Sequence, residues 1–174
     1  MNNLFKGMIF VFININITLG NSKIDILPDF IGFFMIAKGL EELYNQSDNF
    51  IKIKPFATGL GVYTLIIFLL NLFGVTIGLE YIAGIVYTIL LIYVSYTIII
   101  GIMDIEKSFN TSLETERLMS SWKIMTIFNI LIFIVVFIPF FNFIFLIFSI
   151  VFIIAYLVSF NRTKNLYYEN NLNI

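Results

Sequence analysis

Two carboxylates four residues apart, Asp25 and Asp29, flank Pro28 in the stretch INITLGNSKIDILPDFIGFF, residues 15–34. On one face of a helix, such a pair could bind a cation or trade a proton, provided both groups are partly withdrawn from water. The same residues also read as the beginning of a helix. Pro28 suits a first turn because it lacks the amide hydrogen that would go unpaired there. Asp29 follows at once, where a negative charge gains roughly 0.3–1 kcal/mol from the helix dipole. Asp25 then precedes the turn and need not share a face with Asp29. The helix-start reading takes precedence.

Gly32 and Gly39 follow in the same segment, and small residues at such spacing let a second helix approach closely. Lys38 lies about five residues before the segment's inner end, roughly 7–8 Å along a helix. A lysine stem can snorkel that far. Glu41 and Glu42, three and four residues on, are its local partners. The competing role for Lys38 is a charged lining for a pathway. Asp25, Pro28, Asp29, Gly32 and Lys38 are the candidate functional element.

The remaining chemical kit is thin. Histidine and cysteine are both absent, which removes the commonest general base, thiol nucleophiles and thiolate metal sites. No phosphate-binding loop, zinc-protease motif or nucleophile elbow occurs. An enzyme would have to work with Asp25, Asp29, Glu80 and the lysines. No catalytic residue, metal site or cofactor is therefore expected. Nucleic acid is not expected as a partner either, since no basic tract could neutralise its backbone and the net charge is −1.

Water is not the solvent this chain is built for. Of its 174 residues 60% are hydrophobic and only 12% charged, too few to make a polar shell. Six apolar segments follow one another: Leu4–Leu19, Ile26–Leu43, Phe56–Ile77, Tyr81–Met103, Ile124–Phe141 and Phe143–Phe160. Several match a hydrocarbon layer about 30 Å thick, and a backbone in lipid must satisfy itself, so they are expected as helices. FININIT, residues 12–18, alternates with period two as a strand would. An isolated strand cannot cross a bilayer, so the segment is read as helix and the alternation as accidental. The expected fold is an all-α integral membrane protein, a bundle of six transmembrane helices with the first two short and bent or re-entrant.

Positive charge orients the bundle. Lys6, Lys38, Lys52, Lys54, Lys107, Arg117, Lys123, Arg162 and Lys164 fall on one side, and Lys23 alone on the other. That split puts both termini in the cytoplasm. Residues 104–123 form a cytoplasmic loop in which Thr111 and Glu114 have capping-box spacing, so a helix should begin near Ser112. Trp122 beside Lys123 reads as an interfacial anchor. A tight connector is expected at Pro139–Asn142, and the polar tail, residues 161–174, is expected to be loosely ordered.

Taken whole, DILPDFIGFFMIAKGLEEL resembles the N-terminal signature of small, uncharacterised multi-spanning membrane proteins of low-GC Gram-positive bacteria, which carry a similar Leu-Pro-Asp-Phe-Ile-Gly element after a short first helix. GIMDIEKSFNTSLETERLMSSWKI and PFFNFIFLIFSIVFIIAYLVSF are similar too, so the likeness covers nearly the whole chain. It implies a bacterial cytoplasmic-membrane location and brings no activity. The expected function is a non-catalytic accessory, sensor or immunity-type component that acts through helix packing. Its partners would be the lipid bilayer and a membrane protein or a second copy of itself. The runner-up is a passive carrier or channel-like protein for a small solute or lipid, with the Asp25–Asp29 connector as its outer mouth. The absence of ionisable groups well inside the later segments counts against an ion-coupled pump.

Overall fold

The computed structural model describes residues 1–13, 16–19, 22–75, 80–135 and 139–170. Among them six α-helices lie on the six apolar segments, and a small β-hairpin joins the first two. The chain divides into two compact units, Met1–Gly101 and Ile102–Ile174.

The first unit begins with two short helices, α1 (Asn2–Phe12) and α2 (Asp29–Glu41). Between them, β1 (Asn16–Leu19) runs antiparallel to β2 (Ser22–Asp25), with Asn16 opposite Asp25 and Leu19 opposite Ser22. This corrects the expected helix out to Leu19: α1 ends at Phe12, residues 14–15 lie outside the described residues, and Asn16–Leu19, where the alternation ends, is a strand. Ile17 and Thr18 are β-branched and favour extended backbone. Pairing with β2 gives those amides and carbonyls the partners a lone strand would lack. α1 and α2 then pack antiparallel with almost no space between them. A methyl group on Gly32 would stand 2.8 Å from the Gly7 carbonyl oxygen, and one on Gly39 would stand 2.6 Å from the Leu4 amide nitrogen. Only hydrogen fits at either place.

α3 (Asp48–Leu72) starts eight residues earlier than the apolar run does, because Ser47 caps it: its Oγ accepts the Asn49 N–H at 3.2 Å. Pro55 stands inside the helix rather than at its boundary. α3 runs antiparallel to α2, with Phe33 and Phe34 against Gly61, and Lys54 paired to Glu41 at 3.2 Å. α4 (Glu80–Ser108) returns alongside α3 and places Gly101 against the Phe50 ring. Leu4, Met8, Phe33, Ile36, Leu40, Phe50 and Ile53 are among the fully buried apolar side chains of this unit.

The second unit holds the end of α4, then α5 (Thr115–Val135) and α6 (Pro139–Glu169). α5 begins three residues later than the capping-box spacing suggests. The box does not form; instead Glu106, on α4, accepts hydrogen bonds from the Leu113 amide at 2.7 Å and from the Thr115 hydroxyl. Glu114 takes a left-handed backbone, φ 55°, and pairs with Arg162 and, at 3.6 Å, with Arg117. Trp122 is buried in this unit, as are Leu118, Met125 and Phe160, and is not displayed as an interfacial anchor. The expected connector at Pro139–Asn142 is instead the first turn of α6, where proline's missing donor costs nothing. Residues 136–138, between α5 and α6, lie outside the described residues. α6 continues to Glu169, so most of the tail expected to be loose is helical.

Among the described residues three helices are long and apolar enough to cross a bilayer: Asp48–Leu72, Tyr81–Ser108 and Phe143–Glu169. α1 and α2, 11 and 13 residues long, reach only ~16 and ~20 Å at 1.5 Å per residue. Large apolar side chains such as Ile66, Ile82, Ile89, Phe143 and Ile154 lie exposed on the long helices. Water penalises such a surface and lipid does not. The architecture is that of a helical membrane protein.

Candidate functional site

The Asp25–Asp29 stretch is an elbow between two elements. β2 ends at Asp25, whose Oδ1 accepts the Leu27 N–H at 3.1 Å and so turns the chain. Pro28 caps α2 with φ −60° and ψ 125°, and Asp29 is the first helical residue. The two carboxylates therefore stand on different elements and do not share a helical face.

Asp29 finds its partner far along the chain. The Tyr87 hydroxyl, on α4, donates to Asp29 Oδ2 at 2.9 Å. Asp29 Oδ1 is buried and has no hydrogen-bond partner among the described residues. Aromatic rings enclose the pair: Tyr87 meets Phe33 edge-on at 6.1 Å and Tyr63 at 6.5 Å, and Phe30 meets Phe68 at 5.3 Å. Nothing near Asp29 in the sequence points to Tyr87. The usable clue is chemical: a carboxylate on an apolar helix needs a donor, and tyrosines are the donors this chain has in quantity.

Gly32 faces α1, as the Gly7 contact requires, and Lys38 does not join Asp29. Lys38 is exposed, nine residues further along α2, about 14 Å away at helical rise. Its expected partners are taken up elsewhere, Glu41 by Lys54 and Glu42 by the Asn3 side chain at 2.6 Å.

Tyr87 has a second environment. With Pro55, Phe56, Gly59, Leu60 and Tyr63 of α3, and Ala83, Val86 and Leu90 of α4, it lines a cleft of about 500 Å³. That volume lies within the range of small-molecule sites, roughly 300–1,000 Å³. The walls are almost wholly apolar. α3 and α4 are held at their spacing by ring contacts, Phe56 to Tyr93 at 5.2 Å and Tyr63 to Tyr87. Gly59 keeps the space open, since a methyl group there would meet no atom within 4 Å. The site is an apolar trough, one of whose wall residues, Tyr87, donates a hydrogen bond to a carboxylate outside the lining.

Comparison with protein-family models, with curated proteins and with solved structures returned no match. Function must be argued from the trough itself.

Proposed function

We propose that this chain is a six-segment protein of the bacterial cytoplasmic membrane, both termini cytoplasmic, that works by binding rather than catalysis. In this reading it is a sensor or accessory component, with the α3–α4 cleft as its recognition site and a membrane protein or a second copy as its partner. The cleft carries the proposal: about 500 Å³ of almost wholly apolar space, with Gly59 facing open space on one wall and Tyr87 among the lining residues of the other. Helices that only packed together would leave no such space, and α1 and α2 leave none. The three long apolar helices support the location, and the nine-to-one split of positive charge supports the orientation. α1 and α2, joined by the hairpin, make up the first two segments.

The test is native mass spectrometry of gently extracted protein, wild type beside Gly59→Leu. Wild type should retain a small molecule or lipid that the variant, its cleft filled, does not. Equal retention by both would sink the cleft as a binding site. The carrier reading makes a different demand. Vesicles holding the protein would have to pass the retained molecule across the bilayer, and a binding component would not.

A further inference from the structure

We propose that the α3–α4 cleft takes a neutral, lipid-soluble molecule with a hydrocarbon body and one carbonyl oxygen, the carbonyl accepting a hydrogen bond from the Tyr63 hydroxyl. This rests on the binding reading above and adds the chemical class.

The walls set the first requirement. None of the residues lining the cleft is charged, and Phe56, Leu60, Val86 and Leu90 give it hydrocarbon surface. A charged group entering there would lose its solvation and meet no counter-charge, a far larger cost than any neutral polar group incurs. The occupant is therefore neutral and mostly hydrocarbon.

Tyr63, itself a wall residue, sets the second. Several other hydroxyls on these two helices are provided for. Thr64, Thr88 and Thr97 donate to carbonyls one turn back in their own helix, and Tyr87 donates to Asp29. A phenol is too long and too rigid to fold back in that way. The Tyr63 hydroxyl has no hydrogen-bond partner among the described residues, and protein atoms do not shut it in. It lies seven residues beyond Phe56, where the apolar segment begins, or ~10 Å of helix. In a hydrocarbon layer about 30 Å thick that depth is dry, and an unpaired hydroxyl is costly there. An alkyl chain alone would leave it unpaired. A carbonyl oxygen accepts its proton and brings no charge.

The space for that oxygen lies beside the donor. Gly59 is one turn before Tyr63 on the same face of α3, and a methyl group there would meet no atom within 4 Å. The Tyr63 ring rests on Tyr87 at 6.5 Å, and Asp29 in turn holds the Tyr87 hydroxyl. The donor is thus positioned before any ligand arrives.

The experiment places the full-length protein in phosphatidylcholine nanodiscs and photolabels it with three diazirine-bearing probes of equal chain length: hexadecane, a hexadecanone with its carbonyl in mid-chain, and hexadecyltrimethylammonium. Labelled peptides are mapped by mass spectrometry. Labelling of residues 55–63 and 83–90 is divided by labelling of the exposed apolar side chains of α6, which corrects for how much probe enters the bilayer. The ketone should exceed the alkane about fivefold in the cleft, the scale of one net hydrogen bond, and the ammonium should label it least. Tyr63→Phe, which keeps the ring, should bring the ketone down to the alkane and leave the alkane unchanged. Gly59→Leu should abolish cleft labelling by all three probes. A ketone no better than the alkane, or a preference that survives Tyr63→Phe, overturns the carbonyl assignment and leaves the cleft as a chain site. Ammonium labelling equal to that by the ketone overturns the neutral class. Cleft labelling unchanged by Gly59→Leu overturns the binding reading itself.

Discussion

Asp29 and Tyr87 are not equivalent halves of their hydrogen bond, and removing either has a different cost. Tyr87→Phe takes away the only donor shown for a largely enclosed carboxylate. Leaving a buried polar group unpaired costs about 1–3 kcal/mol, more when it is charged. Asp29→Asn keeps an acceptor for the tyrosine and discards the charge, so it should cost less than Tyr87→Phe. Chemical unfolding followed by circular dichroism ranks the two, and the reverse order would show that the pair does not hold this end of the unit together. At this scale the sequence was legible only in part. Asp25, Pro28 and Asp29 announced a helix start by residue type, and a capped α2 is what they make. Tyr87 was hidden because its meeting with Asp29 spans 58 residues and depends on how α4 returns.

Glycines at the helix contacts act in opposite senses in different elements. Gly32 has the backbone of α1 within 2.8 Å of its missing methyl, while Gly59 faces open space. Gly32→Leu must push α1 away and should cost at least the 1–3 kcal/mol of an overpacked core. Gly59→Leu replaces a poor helix former in an uncrowded position, where the gain approaches about 1 kcal/mol. Thermal unfolding of the two variants should thus move in opposite directions, and a matching drop for both would refute the open cleft. Periodicity and composition located all six helices, since apolar runs of that length leave few alternatives. Their ends were poorly legible for identifiable reasons. A serine cap drew α3 back past Pro55, a carboxylate from α4 displaced the expected capping box, and Pro139 opened a helix instead of a turn. The strand in FININIT was written in its alternation, but only the paired β2 made it stable.

For the whole molecule the test is sidedness. The chain has no cysteine, so a single substitution reports alone. An impermeant thiol reagent applied to intact cells should label Ser22→Cys, in the hairpin, and spare Ser108→Cys, at the exposed end of α4. Labelling of Ser108→Cys but not Ser22→Cys would invert the proposed orientation. The proposed orientation rests on the count of charges alone and on no contact in the fold, so this labelling is what decides it. The cleft was the least legible: its walls are ordinary span residues, and its existence depends on the distance between two helices.

The pairing of α1 with α2 has a consequence for biosynthesis. Neither helix alone is long enough to bridge the hydrocarbon layer, so α1 by itself should not hold a stable place across the bilayer. The unit of insertion is the pair with its hairpin, and commitment waits for Gly32 and Gly39 to emerge and close on Gly7 and Leu4. A chain arrested at Asp25 should wash out of membranes in alkali, and one that also carries α2 and its ribosomal spacer should stay.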